Sequence, residues 1–424
     1  MITPPILNYV GSGMTHTRIC DHNAFNDPVV SDIIRHVSSS IQGRNGHLVS
    51  VLFNAYIEEK LAPIFDIYFK GAMEDIHADS GGLQIVTLGK VISKELKTKI
   101  YKIQAKGSDM AMGFDEIPVN TFKDKNKINT KSFDQSLLDD CAIQTRSNLK
   151  EQLQYFVEND SRAKVLPILQ GNSESDYVRW HQLLLKDISK DEQSKIAGLA
   201  LGFAAYGKGS KPMVHIIRML KNLETEEKMI HLLGVGSISR MLPLIILIKS
   251  GYLGNKYSKI SYDSTSHTQA SSFGAYLKKN DNQINVKRYK TPSFYEVWED
   301  ISVNMKEFID WIESKYDIEF CEETLFHTIC QQSKYRDWGK HKREYRGVFT
   351  FIFFISQVLN FTWTVNECLH NEDFLKMMIH QYDPGLRYLM AVKDDYDLSN
   401  WFANYESKEK KVKNYNETDA DGLF

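Results

Sequence analysis

The sequence predicts an α/β chain built on a (β/α)8 barrel, from three observations. Short apolar runs recur at roughly 30-residue spacing through the first two thirds, with amphipathic stretches between them, as parallel βα units require. These units are too many in series for one small dinucleotide-binding half, and no GxGxxG follows any of the runs. Polar or glycine-rich clusters close most of the runs, as strands do at the C-terminal mouth of a barrel.

In chain order, residues 47–53 (HLVSVLF) read as a strand and 85–97 as a helix after a glycine turn. Residues 109–114 (DMAMGF) make a short strand. A long helix over 133–159 carries Leu137, Leu138, Cys141 and Ile143, then Leu149, Leu153 and Phe156. Strand and helix then alternate: 164–169 (KVLPIL) and 177–185, 196–203 (IAGLALGF) and 214–223, 230–235 (IHLLGV) and 241–250. A last short strand is 259–262 (KISY), and 121–132 (TFKDKNKINTKS) reads as a mobile basic loop. The pattern changes after about residue 276. The expected division is a barrel over 1–276, a polar loop or insertion over 277–293, a helical C-terminal subdomain over 294–405 and a charged tail over 406–424. No repeat of solenoid period is found.

Composition narrows the function classes. The 424 residues carry 52 Lys+Arg against 54 Asp+Glu, a formal net charge of -2, with 42% hydrophobic and 25% charged residues. These are values of a globular protein with a sizeable core. They exclude a disordered acidic tail and a bulk-basic nucleic-acid coat protein, so a nucleic-acid partner needs a local patch. The 5 cysteines are too scattered for a disulfide scaffold. The first residues, MITPP, lack a charged and then apolar leader. The longest apolar runs, 241–248 and 348–355, fall well short of the ~20 residues of a membrane span. The expectation is a soluble cytoplasmic protein without a membrane partner.

Five clusters carry the chemistry: Ala78-Asp79-Ser80-Gly81-Gly82-Leu83-Gln84, Met112-Gly113-Phe114-Asp115-Glu116, Ile168-Leu169-Gln170-Gly171, Gly198-Leu199-Ala200-Leu201-Gly202, and Ser261-Tyr262-Asp263-Ser264. At one barrel mouth they would converge several carboxylates, a carboxamide and glycines that let backbone approach a planar ligand. Asp115 and Gln170 supply the acceptors and donors that a purine edge needs. Paired carboxylates such as Asp79 and Asp263 suit glycosidic chemistry, one as nucleophile and one as general acid and base. Each has a plainer reading beside it. Asp79 before Gly-Gly also has helix N-cap chemistry, Asp263 could form a strand-end turn, and Gly202 could simply permit tight strand packing.

DSGG-x-Q, FDE, LQG, G-x-A-x-G, GVGS and an aromatic-Asp at a strand end, in this order, resemble the tRNA-guanine transglycosylase superfamily, over about residues 75–275. The resemblance implies a barrel of transglycosylase type. It implies that Asp263 is the nucleophile forming a covalent intermediate and Asp79 the general acid/base, with Ser80 in the same loop. It further implies that Asp115 grips the purine's Watson–Crick edge, that Gln170 and Gly171 contact the base, and that Gly202 offers a backbone contact. Phe203 stands where that family usually has a second glycine.

The tRNA enzymes follow the nucleophile with a basic Cys-x-x-Pro-Thr-Arg run; here Ser264-Thr265-Ser266-His267-Thr268-Gln269 is neutral. The chain is therefore more similar to the branch that inserts 7-deazaguanine into DNA. That implies DNA as partner (tRNA as the alternative), 7-cyano-7-deazaguanine as small-molecule substrate, a flipped base and a helper protein that opens the duplex, in a bacterial cell or phage-infected host. A non-catalytic nucleic-acid-binding paralogue is a further alternative, against which both Asp positions are kept. The segment 334–346 (KYRDWGKHKREYR) offers Lys334, Arg336, Lys340, Lys342 and Arg343 as phosphate contacts interleaved with aromatic rings, and His267 is a further candidate contact; a solvated charged face is the plainer alternative. The family's structural zinc implies a Cys2His2 set of Cys321, His327, Cys330 and His370, although Cys-x5-His-x2-Cys is not a standard spacing. No organic cofactor is expected.

Overall fold

A computed structural model describes residues 5–12, 50–57, 73–82, 85, 88, 91–124, 127–202, 210–265, 275–280, 283–290, 358, 361–362 and 364–412. The first strands are β1 (Ile6–Ser12), β2 (Ser50–Asn54), β3 (Ile76–Asp79) and β4 (Met110–Met112), followed by an antiparallel hairpin of β5 (Val119–Asp124) and β6 (Lys127–Phe133). Then come β7 (Lys164–Leu166), β8 (Ile168–Leu169), β9 (Leu199–Leu201), β10 (Met229–Leu232) and β11 (Lys259–Ser264). A second antiparallel hairpin, β12 (Ala275–Asn280) and β13 (Gln283–Lys290), ends the strand region.

The large sheet has the order β7-β4-β3-β2-β1-β11-β10-β9-β8 and is parallel throughout. Its two ends are one stretch of chain. Only Pro167 separates β7 from β8, and a proline cannot donate to the ladder. The first piece pairs with β4 and the second with β9, while the Pro167 carbonyl accepts from Ala200 N at 2.8 Å. The sheet thus returns onto itself as an α/β barrel-like fold.

Two separate cores follow from the period-two alternation of strand side chains. Val10, Leu52, Met112, Leu166, Ile168, Ala200 and Met229 form a small cluster on the inner face. The alternate residues Tyr9, Val51, Phe53, Ile76, Ala78, Ala111, Val165, Leu199, Leu201, Ile230, Leu232, Ile260 and Tyr262 join the much larger layer between strands and helices.

The helices are α1 (Lys94–Gly107), α2 (Leu138–Glu158), α3 (Glu174–Leu184), the short α4 (Lys190–Gln193), α5 (Ser210–Asn222) and α6 (Ile238–Lys249). On α2, Ala142, Thr145, Leu149, Gln152, Leu153 and Phe156 recur at three- and four-residue spacing and are buried. α3 starts where Ser173 accepts from Asp176 N and is pinned by Trp180, fully buried, whose indole Nε1 donates to the Ile168 carbonyl at 3.0 Å. Truncating such a ring to alanine costs about 3–5 kcal/mol.

The C-terminal segment packs on the same large core. It comprises a helical stretch through 364–370, α7 (Glu372–Tyr382), a 3-10 turn at Pro384–Ala391 and α8 (Asp395–Val412). Val358, Phe361, Val365 and Cys368 are buried. Phe361 stands edge-on to Tyr9, with ring centroids 4.8 Å apart, and so covers β1 from outside. Lys249 Nζ donates to the Leu369 carbonyl at 2.6 Å, Lys393 Nζ to the Ser250 carbonyl at 2.9 Å, and the Tyr252 hydroxyl bonds Asp395.

Several elements differ from the sequence expectation. The helix expected over 85–97 is interrupted: Gly82 and Ile85 are helical, residues 91–93 are not, and a new helix begins at Lys94, where the Ser93 hydroxyl caps Leu96 N, and continues to Gly107. Segment 121–132, expected as a loop, lies in the β5–β6 hairpin, and the polar insertion after 276 contains the β12–β13 hairpin. Both hairpins are rich in lysine and other polar residues, and the brief apolar alternation of Ile284 and Val286 in β13 is too short to stand out in the sequence. β1 lies outside the expected strands. The region 406–424 begins as helix, since α8 reaches Val412.

Candidate active site

Asp79, Gly202 and Asp263 lie at or just past the C-terminal ends of β3, β9 and β11, and Asp115 and Gln170 follow β4 and β8. One mouth therefore collects the five clusters. The Asp79-Ser80-Gly81-Gly82 turn explains its own sequence. Gly81 has φ +77°, and a Cβ there would stand 2.6 Å from Asn54 Oδ1. A Cβ on Gly82 would crowd Asp115, 3.1 Å from both its carbonyl oxygen and Oδ1. Ser80 is fully buried, and its hydroxyl accepts from Gly82 N at 3.4 Å.

Asp79 sits opposite Asn54 in the β2–β3 register, and Asn54 Nδ2 donates to Asp79 Oδ2 at 3.0 Å. Burial, and then the charges of Asp115 and Asp263, push the Asp79 carboxyl up to about 7, against the opposing backbone N–H groups of Gly81 and Ser80. Asp79 thus exchanges a proton near neutrality, the property wanted of a general acid and base.

Asp115 is buried and accepts from Gln170 Nε2 at 2.7 Å. Burial raises its carboxyl to about 6, the Gln170 bond opposes the rise and Glu116 adds to it. Glu116 is itself raised by burial; its backbone N–H donates to Thr145 Oγ1 at 2.9 Å. A Cβ on Gly202 would lie 2.1 Å from Gln170 Oε1, so a side chain there would displace the Gln170 carboxamide. Tyr177 fixes that strand end, its hydroxyl donating to the Gly202 carbonyl at 2.6 Å. At Gly171 a Cβ would meet Tyr177 and Asp176 at about 3 Å, so α3 seats closely on this turn.

Asp263 is buried, and its Oδ1 accepts from Gly234 N at 2.8 Å. Gly234 lies in the turn after β10 with φ +73°. The same turn comes close to the strand end after Asp263, since a Cβ on Gly236 would lie 1.9 Å from Ser264 Cβ. Tyr9 donates to the Ser264 carbonyl at 3.2 Å, and burial keeps its phenol neutral.

The structure adds residues that the motifs did not single out. Beneath the carboxylates the inner face is polar. His231 is fully buried, with Nε2 3.4 Å from Asp263 Oδ1 and Nδ1 2.8 Å from Ser261 Oγ. The His77 ring lies 5.3 Å from that of His231, and burial lowers its pKa. At the other end of the barrel, Asp75 accepts from Asn8 Nδ2 at 3.2 Å and pairs with Lys259; despite its burial, His77 and Lys259 hold its carboxyl well below the usual range. Two amides brace β3 and β4: Gln104 Nε2 donates to the Ala78 and Met112 carbonyls at 3.1 and 3.0 Å, and Gln152 Nε2 donates to Gln104 Oε1 at 2.9 Å. The signal for the histidines was present as Ile76-His77 and Ile230-His231, polar residues at inward positions of otherwise apolar strands.

The other candidates are not gathered here. His267, Lys334, Arg336, Lys340, Lys342, Arg343, Cys321, His327 and Cys330 lie outside the described residues. His370 is described and exposed, just before α7. Among the described residues no group of three or more His, Cys, Asp or Glu could hold a metal ion, and no helix is long and apolar enough to cross a membrane. No protein-family model matches the chain, and a search of curated proteins finds no matching relative.

Proposed function

We propose that the chain is a nucleic-acid guanine transglycosylase that exchanges guanine in DNA for a 7-deazaguanine. The observation that carries the reading is the convergence of Asp79, Asp115 and Asp263 at one barrel mouth, with Asp79 raised to about 7 and Asp263 held by a backbone N–H. In this reading an Asp263 carboxylate oxygen attacks C1′ of the flipped nucleoside. The C1′–N9 bond breaks, and protonated Asp79 supplies the proton that the departing guanine anion takes up. The incoming 7-cyano-7-deazaguanine loses its N9 proton to Asp79, and its N9 attacks C1′ while the ester to Asp263 breaks. Two inversions retain the anomeric configuration. Asp115 and Gln170 exchange their mutual hydrogen bond for bonds to the base edge, with Gly202 leaving room for the carboxamide.

DNA is preferred to tRNA because the run after Asp263 is neutral. Incubating the purified chain with 7-cyano-7-deazaguanine and either duplex DNA or tRNA, followed by nucleoside mass spectrometry, tests this. Modified deoxyguanosine positions are expected; modified tRNA with unmodified DNA would transfer the reading to tRNA, and neither product would refute it. A structural zinc held by Cys321, His327, Cys330 and His370 belongs to the same proposal, and metal analysis showing none in folded protein removes it.

A further inference from the structure

We propose that His231 is a positioning residue for Asp263. It would hold the carboxylate by Oδ1, so that Oδ2 is the oxygen that forms the bond to C1′. This rests on the transglycosylase reading. Oδ1 already accepts from Gly234 N at 2.8 Å, and His231 Nε2 stands 3.4 Å from the same oxygen. Nε2 is buried and has no hydrogen-bond partner among the described residues, and Asp263 Oδ1 is the acceptor beside it. In the proposed tautomer Ser261 Oγ, 2.8 Å from Nδ1, donates to it, and the proton on Nε2 faces Asp263. His231 and Ser261 are register partners on β10 and β11, two residues inward of the mouth, so the sheet itself fixes the Ser–His–Asp line. With Gly234 N bonded to Oδ1 and His231 Nε2 beside the same oxygen, Oδ2 is the oxygen left to form the bond. The imidazole transfers no proton in the exchange; it restricts rotation of the nucleophile and disperses its charge until the ester forms.

The groups facing His231 are Asp263 and Ser261 from β11 and His77 from β3. The His77 ring stands 5.3 Å away and has neither ring nitrogen hydrogen-bonded among the described residues.

The test uses the full chain labelled with 15N-histidine. Long-range 1H–15N spectra, assigned with a His231→Gln variant, are expected to show the His231 Nε2–H tautomer in the resting protein. An Nδ1–H tautomer or an imidazolium at neutral pH overturns the proposal whether or not the chain exchanges bases. In the exchange assay, His231→Phe should lower kcat about 10- to 100-fold with little change in KM for the base, as expected for losing one hydrogen bond to a charged group. His231→Gln, which can present an N–H near the Nε2 position, should recover much of that loss. Should His231→Phe not fold, Ser261→Ala tests the same line through the tautomer and should lower kcat several-fold. Wild-type kcat in Ser261→Ala and in whichever His231 variant folds overturns the positioning role while leaving the transglycosylase reading intact. A wild-type chain inactive on both DNA and tRNA overturns the reading and the role built on it.

Discussion

Removing a charge from the barrel mouth should make this protein more stable, and the gain should depend on pH. Asp79 is raised from 3.8 to about 7, chiefly by burial and then by Asp115 and Asp263. The folded state therefore keeps a proton that the unfolded chain releases. The stability linked to that proton is complete below pH 3.8 and is lost as pH rises through 7. A tenfold difference in proton affinity between the folded and unfolded states is worth about 1.4 kcal/mol, so the penalty for holding Asp79 grows by roughly 2–3 kcal/mol between pH 5 and pH 8. Asp79→Asn keeps an oxygen to accept from Asn54 Nδ2 and removes the charge. Its advantage over wild type should be small at pH 5 and about 2 kcal/mol larger at pH 8. For a 424-residue chain that is roughly 2 °C in Tm, from the usual unfolding entropy per residue. Thermal unfolding of both proteins at pH 5, 6, 7 and 8 reads it directly. A gap that does not widen with pH, or a variant less stable than wild type at pH 8, refutes the electrostatic account of the site. On the proposed function the same variant loses base exchange, so stability and activity move in opposite directions.

Asp263→Ala should reduce exchange by at least about 10³-fold and abolish the covalent adduct seen on denaturing gels; full activity would remove it as nucleophile. Gly202→Ala should displace the Gln170 carboxamide, whose Oε1 lies 2.1 Å from the new Cβ position, and raise KM for the incoming base about tenfold; an unchanged KM would show that Gln170 does not read the base. Lys259→Met leaves Asp75 buried without its cation and should cost about 3 kcal/mol in urea denaturation, most of it restored in the Lys259→Met/Asp75→Asn double variant. Equal losses in the single and double variants would show that the pair is not coupled.

The barrel strands were legible because they are inserted between two apolar layers, one inside and one outside, so runs such as 164–169 and 196–203 are apolar on both faces. The mouth was legible because its turns need unusual residues: Gly81 and Gly202 stand where a side chain would collide with Asn54 or Gln170. β1 was hidden because Asn8, Tyr9, Gly11 and Ser12 interrupt its apolar character. Three of these serve the fold at a distance in sequence: Asn8 bonds Asp75, Tyr9 bonds Ser264, and Gly11 pairs with Ser264 in the ladder. The His231–Asp263 contact was hidden for a related reason. Its partners are 32 residues apart and meet only through the β10–β11 register, which no local window contains. The β5–β6 and β12–β13 hairpins are dominated by lysine and other polar residues, so their composition suggested loops even though Ile284 and Val286 alternate with polar neighbours in β13.

The way the large sheet ends has a consequence for association. Because the stretch around Pro167 serves as both of its ends, the barrel offers no open row of backbone donors and acceptors to a foreign strand. Among the described residues, such rows remain on the outer sides of the two hairpins. A protein that joined this chain by adding a strand, or a copy that misassembled with it, would therefore be recruited at those hairpins and would leave the barrel intact.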